Sequence, residues 1–432
     1  MQDSMHLMRT RRFAPLFATQ FLGAFNDNLY RFAMVFLIVY GIYADPAQDA
    51  TFSAVAGGLF ILPFFLFSAL AGQLADTRDK AAIVRKVKNA EIALMALGAL
   101  GLMLQSIPLL LTILFATGLQ STIFGPIKYA VLPQHLEKDE VLGGTGLIEA
   151  GTYIAILLGT IMGGVVIITQ PDGSLQAAWG AGLVIVIAII GRLTAQYVPP
   201  APPEPGMQGT PIDWNIFRSS ARLIGQAMRR PRVRLAIVSI SFFWAMGAVL
   251  AAQFPPLVNN ALQANHHVAS AFLGAFSVGV ATGSVLVNRL LKGEVSARYS
   301  PVSALLMGLF VLDLYRRVIS FDIAGDDLLT LSQFVAQSHG ALIIFDLFAI
   351  AVFGGMFVVP LYAYLTTHVE KNETARTIAA NNIVNSGLMV LATLVLMAAV
   401  QLGVTVADSL IIVAVATVIS AWIGWKLHKV AD

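Results

Sequence analysis

A chain of 432 residues that is 57% hydrophobic and only 12% charged lies outside the range of soluble domains, so the sequence specifies an integral membrane protein. The absence of cysteine excludes disulfides, thiolate nucleophiles and Cys-ligated metals, and leaves the redox compartment undetermined. The formal net charge of +3 is a topological bias rather than a sign of nucleic-acid binding.

A membrane-crossing helix needs about 20 apolar residues. Twelve stretches qualify: 13–43, 52–74, 81–105, 108–134, 141–169, 177–197, 234–261, 267–290, 300–318, 338–366, 373–402 and 406–427, the ninth being the weakest. The first follows Arg9, Arg11 and Arg12, and it is too long and too polar at its centre for a cleavable signal, so it reads as a permanent span. Its stretch "QFLGAFNDNLYRFA", residues 20–33, places Asn26, Asp27, Asn28 and Arg31 near mid-membrane. Asp27 and Arg31 are four apart and share a helix face, with Gln20 and Ala24 in the same arc. Ionisable groups at that depth face a cavity or one another. The pair is either a self-neutralising structural device or part of a functional constellation; the two asparagines add donors and acceptors that a structural pair does not need. A contact with Arg31 would hold Asp27 ionised and make it a poor proton carrier.

Span four carries "FGPIKYAVLP", in which Pro126 removes a backbone donor and leaves carbonyls free. Lys128, two residues on, either faces a cavity or snorkels to the nearer surface. Span five, "GLIEAGTYIAILLGTIMGG", sets Glu149 two turns in with Thr152 on the same side, and its Gly159 and Gly163 form a small-xxx-small contact for a neighbouring helix. Glu149 is expected to pair with Lys128. Two acids and two bases near the membrane interior can exchange a zwitterionic or anionic headgroup.

The proline-rich "PPAPPEPGMQGTPIDW", residues 199–214, is a loop that divides the chain six spans plus six. The expected units are an N-terminal bundle at 1–198, a linker at 199–232 and a C-terminal bundle at 233–432. A repeat supports the division: "HLEKDE" at 135–140 recurs as "HVEKNE" at 368–373, each after a proline-bearing span (Pro126, Pro360). Parallel six-helix repeats mark a large class of secondary transporters. The segment 215–230, "NIFRSSARLIGQAMRR", opposes Ile216, Leu223 and Ile224 to Arg218, Arg222, Arg229 and Arg230, as either an interfacial helix on an anionic leaflet or a basic tether.

The seventh span, "VSISFFWAMGAVLAAQFPP", has no charge. Polarity in the second half sits in "AANNIVNSG" of span eleven, where Asn381, Asn382 and Asn385 either line a cavity or knit helices together. Asp313 and Asp346 lie in the outer halves of spans nine and ten, within reach of Arg316 and Arg317 at an external mouth. A charged wall facing an apolar, amide-lined one suits an amphiphile. With a cytoplasmic N-terminus, 23 of the 27 Lys and Arg fall in cytoplasmic segments or span ends; Arg31 and Lys128 are intramembrane, and Arg316 and Arg317 external. The outer loops hold Asp45, Asp49, Asp172, Asp322, Asp326 and Asp327. Both termini are therefore placed in the cytoplasm.

"FLGAFNDN", "GPIKYAVLP", "GGTGLIEAGTYIAILLGTIMGG", "AQFPP" and "AANNIVNSG" together resemble the lysophospholipid transporter family of the major facilitator superfamily, over most of the chain. "FFWAMGAVLAAQFPPLV" resembles most the transporter modules that some bacteria fuse to an acyltransferase and an acyl-carrier-protein synthetase. The resemblance implies an all-α fold of twelve transmembrane helices in two six-helix bundles. It also implies inward movement of lysophospholipids such as lysophosphatidylethanolamine across the bacterial inner membrane for re-acylation, without obligatory ion coupling and without a cofactor. An acyltransferase or acyl-carrier-protein synthetase acting on the delivered lipid is the implied partner. Substrate contacts are expected from Asp27, Asn28, Arg31, Lys128, Glu149, Asn381, Asn382 and Asn385. "GQLADTRDK" resembles the superfamily's latch loop, with Gly72, Asp76 and Lys80 in its usual positions and Asp79 where a second glycine is usual. Single-module relatives are expected to carry a basic residue in span seven; residues 235–262 contain none.

The competing function is a proton-coupled drug or metabolite exporter of the same fold. Such exporters typically have Gly-Pro near the end of span five, whereas Gly163 is followed by Gly164. A receptor or scaffold would not need intramembrane charges. Enzyme activity has no support: no nucleophile and base, His cluster or phosphate loop stands at useful spacing. The adjacent His266 and His267 are weak evidence for a metal.

Overall fold

The computed structural model describes residues 4–42, 49–169, 175–321 and 328–431. Asp45, Asp172, Asp322, Asp326 and Asp327 of the expected outer loops lie outside the described residues. Six long helices form the first half: α1 (Ala14–Phe36), α2 (Asp49–Thr77), α3 (Lys80–Leu104), α4 (Ile107–Ala130), α5 (Val141–Val165) and α6 (Ala178–Ala195). A linker helix (Ile216–Arg229) leads to α7 (Pro231–Pro256), α8 (His266–Leu291), α9 (Ser300–Ile319), α10 (Gly340–Thr367), α11 (Thr374–Gln401) and α12 (Ser409–Ala431).

Among the described residues, ten of these helices are long and apolar enough to cross a membrane. The other two long helices, α1 and α9, carry the polar group around Asp27 and the cluster of Asp313, Arg316 and Arg317. Both nonetheless pack against neighbours, α1 against α5 and α6, α9 against α10 and α12. Burial among helices shelters Asp27 from hydrocarbon, whereas the charges of α9 lie at its exposed end and offset one another, Arg316 and Arg317 meeting Asp313 at 3.1 and 2.7 Å. The first helix of each half ends in wide π turns, Leu37–Ile42 after α1 and Leu257–Ala261 after α7.

Within the first half α2 packs on α4, and α3 on α4 and α6; within the second, α7 packs on α11 and α12, and α8 on α10. Lipid tails are as apolar as leucine, so helices associate in membranes through close packing rather than water exclusion. Gly159 and Gly163 of α5 lie hard against α1. A Cβ on Gly159 would stand 2.4 Å from the Phe25 carbonyl oxygen, and one on Gly163 2.7 Å from the Phe32 Cβ.

The halves meet along α2 with α11 and along α5 with α8, with α4 also touching α10 and α11. The tightest approaches lie toward the face that holds both chain ends. A Cβ on Gly72 would be 2.7 Å from the Ala379 Cβ and 2.9 Å from the Arg376 Cα, and one on Gly146 would be 2.3 Å from the Ser284 carbonyl oxygen. The repeated hexapeptides sit on this face in matching roles. Glu140 closes the first and takes Arg12, just before α1, at 2.6 Å; Glu373 closes the second and takes Arg230, just before α7, also at 2.6 Å. Each half thereby ties the start of its first helix to the start of its fifth.

Candidate functional site

Pro126 and Pro360, the proline-bearing turns of α4 and α10, flank the point where Tyr129 and Tyr362 stack across the two halves, centroids 4.6 Å apart and planes 4° from parallel. Outward of that stack, away from the chain ends, lies a cavity of about 270 Å³. The first half lines it with Gln20, Asp27, Asn28, Lys88, Gln120, Ser121, Lys128 and Thr152, together with Phe60, Ile61 and Phe64. The second half contributes Trp244, Tyr362, Asn382, Asn385, Ser386 and Met389, none of them charged.

The expected Asp27–Arg31 pair does not form: the two groups are not within 4.0 Å. One Asp27 oxygen accepts the Ser121 hydroxyl, and its other oxygen is buried without a hydrogen-bond partner. Arg31 donates instead to Asn28 Oδ1 at 2.9 Å and lies over the Phe32 ring at 4.9 Å. The four-residue spacing put both groups on one face, but a guanidinium on a long stem reached a neutral amide and an aromatic face. Asn26 is not a cavity residue. It donates to Glu91 at 3.2 Å and to the Val184 carbonyl at 3.1 Å, joining α1 to α3 and α6.

Glu149 and Lys128 also fail to pair within 4.0 Å. Glu149 accepts the Tyr129 hydroxyl, and Lys128 lies over the Tyr129 ring at 4.9 Å. Tyr129 stands between the two charges, a partner the sequence did not single out. Of the two placements open to Lys128, the structure has it facing the cavity. Thr152 donates to Gln20 at 3.0 Å and so pins α5 to α1 beside the site.

The most consequential residue missed from sequence is Lys88 of α3, counted there among surface charges. It is fully buried, forms a 2.5 Å ion pair with Glu91, and reaches the cavity wall because Gly23 of α1 leaves room for its ammonium group. Glu91 is further satisfied by Asn26 and by Gln120 at 3.2 Å, so one carboxylate collects donors from three helices. The i, i+3 spacing of Lys88 and Glu91 was the available signal. It was obscured by Lys80, Arg85, Lys86 and the other charges that open α3.

In the second half Tyr362 is the hub. Its hydroxyl accepts from Trp244 at 2.8 Å, and Asn381 and Asn385 approach it at 3.4 and 3.5 Å. Asn385 also accepts from Ser241 at 2.6 Å. Asn381 and Asn385 thus hold the tyrosine, while Asn382 and Asn385 reach the cavity.

The latch residues divide in function. Asp76 caps α11 by accepting the Ala375 and Arg376 backbone N–H groups, each at 3.1 Å, with the Arg376 side chain 3.6 Å away. Gly72 permits that approach. Lys80 is buried but forms no ion pair within 4.0 Å among the described residues; its backbone N–H donates to the Ala201 carbonyl at 3.0 Å. Asp79, in the usual glycine position, caps α3 through Ala81 N–H at 2.9 Å and holds Ala201 N–H at 3.0 Å. On the opposite side Arg317 bridges Asp313 at 2.7 Å and Asp346 at 2.9 Å, and Arg316 reaches Asp313 at 3.1 Å.

Two curated relatives are lysophospholipid transporters named LplT. One, from Escherichia coli strain K12, is 26% identical over 413 residues and covers 94% of each chain; the other, from Enterobacter sp. strain 638, is 27% identical over 350 residues, covering 81% of this chain and 78% of the relative. Among solved structures, the transporter FucP in the outward conformation superposes with a TM-score of 0.69 at 13% identity, over 96% of this chain and 98% of that one. A bacterial homologue of the iron transporter ferroportin, in an outward-facing state, gives 0.68 at 12% identity, over 96% and 99%. At such identities these two speak for the fold alone. The sequence profile of one family matches residues 16–321, and with the bundle architecture this means that the chain belongs to the Major Facilitator Superfamily.

Proposed function

We propose that this protein is a lysophospholipid transporter of the bacterial inner membrane, with both termini cytoplasmic, that moves lysophospholipids such as lysophosphatidylethanolamine from the outer to the inner leaflet for re-acylation. The observation that carries this reading is the division of the cavity, charged on the first-half wall and aromatic, amide and apolar on the other. Asp27 with its unpartnered oxygen suits the amine of a zwitterionic headgroup, and the ammonium group of Lys128, not engaged by Glu149, suits its phosphate. Ion coupling is not obligatory, and consumption of the product by an acyltransferase or acyl-carrier-protein synthetase draws the flux. At about 270 Å³ the cavity falls just below the roughly 300–1,000 Å³ of sites that enclose a drug-sized molecule, which suits a headgroup whose chain extends beyond it. The protein binds no nucleic acid and performs no chemistry of its own.

The carboxyl of Asp27 lacks an ion-pair partner, and this favours a second reading, a proton-coupled exporter, because one barrier to proton carriage falls away. Initial rates of labelled lysophosphatidylethanolamine translocation into proteoliposomes, with and without an uncoupler, separate the two. Persistence under uncoupling is expected; collapse would make the carrier proton-driven. Asp27→Asn is expected to abolish uptake at normal membrane insertion, and a near-normal rate would sink the site assignment; Arg31 is off the cavity wall and orients Asn28 at 2.9 Å, so Arg31→Ala is expected to lower uptake without abolishing it.

A further inference from the structure

A second cavity, of about 260 Å³, lies on the face that holds the chain ends, between the linker helix, the start of α7 and the start of α11. Its floor is apolar, from Leu223, Ala227 and Val233, and its rim carries Arg229, Arg230 and Arg376. Arg230 is shared with Glu373 at 2.6 Å and Arg376 with Asp76 at 3.6 Å, whereas Arg229 has no carboxylate within 4.0 Å among the described residues. The site adjoins the first turn of α7, where the apolar run of that helix begins. Three guanidiniums against two carboxylates leave a net positive rim, and guanidinium forks match phosphate oxygens.

We propose that this cavity binds the phosphate headgroup of an anionic membrane phospholipid and that the bound lipid loosens the latch. A phosphate placed among the three arginines competes with Glu373 for Arg230 and with Asp76 for Arg376. The first exchange frees the start of α7 from the start of α11. The second removes a side-chain contact that helps hold α2 to α11. Neither residue pair touches the central cavity, so this site is separate from the one that takes the transported lipid.

The test uses detergent-purified full-length protein titrated with dioctanoyl phosphatidylglycerol, with dioctanoyl phosphatidylcholine and glycerol 3-phosphate as controls, and binding read by native mass spectrometry. Saturable binding of one phosphatidylglycerol is expected. It should weaken about ten-fold in Arg229→Ala, the effect of losing one charge-assisted hydrogen bond. Gln226→Trp, which fills the cavity from its exposed rim and keeps every charge, should weaken it as well. Equal binding of phosphatidylcholine would overturn the selectivity for anionic lipid, and equal binding of glycerol 3-phosphate would assign the site to a soluble phosphate instead. Unchanged binding in both variants would place the lipid elsewhere. In proteoliposomes, phosphatidylglycerol should raise initial transport rates at least two-fold over phosphatidylcholine alone, and Arg229→Ala should remove the gain. Equal rates with binding intact would overturn the link to the latch. The binding readout needs no assumption about the transported substrate.

Discussion

Lys88 and Glu91 concentrate two full charges inside α3, and what keeps them there is mutual contact plus the amides of Asn26 and Gln120. Removing one partner of a buried pair strands the other, at about 3–5 kcal/mol. Lys88→Ala is therefore expected to lose stability of that order, read as a lowered thermal midpoint in detergent, while Lys88→Met combined with Glu91→Leu should lose less. Equal losses would mean that packing volume rather than charge pairing dominates. Lys128 supports a functional prediction of a different kind. Its ammonium faces the cavity, whereas Lys429 rests on the Trp425 ring near the end of α12. Lys128→Ala should raise the apparent KM for lysophospholipid several-fold and Lys429→Ala should leave it unchanged; matched values would show that the cavity ammonium is not read by substrate. Asp27, Lys128 and Glu149 were legible as intramembrane charges from hydropathy alone. Their partners were not, because Ser121 and Tyr129 are ordinary residues in an apolar helix until another helix is laid against them.

Helix α2 crosses α11 so closely at Gly72 that the contact reports the closed state of this face. The chain has no cysteine, so Gly72→Cys with Ala379→Cys introduces a single pair, and a parting of α2 from α11 by about 1 Å both relieves the added Cβ from the Arg376 Cα, 2.9 Å away, and brings the two Cβ atoms to disulfide geometry. Oxidation should cross-link the pair and stop transport, and reduction should restore it; transport at full rate in the cross-linked protein would mean that this crossing does not open in the cycle. Glu140, at the start of α5, ties the element to acid stability. Burial raises its pKa, but the Glu137 N–H, the Arg12 guanidinium and His6 outweigh burial and hold it below its ordinary 4.5. A carboxyl depressed in the folded state contributes stability that is fully present above 4.5 and is lost as pH falls through the lower, folded value. Thermal midpoints recorded from about pH 7 down to about pH 3 should fall on the acid side, and Arg12→Ala should shrink that fall. An unchanged acid limb would remove Glu140 from the account.

The whole molecule repeats its wiring as well as its helices. Arg12 with Glu140 and Arg230 with Glu373 occupy corresponding corners of the two halves, and the hexapeptides that supply the glutamates were visible as a repeat before any contact was. The structure places both chain ends on one face. The excess of Lys and Arg on that face predicts that it is cytoplasmic. Phosphatase fusions at either terminus should be inactive and green fluorescent protein fusions bright, with the opposite result for a fusion between α9 and α10; activity at one terminus alone would contradict an even number of crossings.

The order of the spans and the polar centre of α1 were determined by the sequence alone, because hydropathy acts locally and needs no knowledge of neighbours. The resemblance to lysophospholipid transporters rested on similarly contiguous segments. Only the tertiary structure decided that Asp27 turns to Ser121 and not to Arg31, that Tyr129 intervenes between Glu149 and Lys128, and that Lys88 belongs to the interior. Each of those choices depends on how side chains of different helices meet at distances of about 3 Å. Periodicity says which face of a helix a group shares, but the partner is set by where α3, α4 and α5 cross α1, and the crossings depend on glycines such as Gly23, Gly159 and Gly163 that let backbones approach.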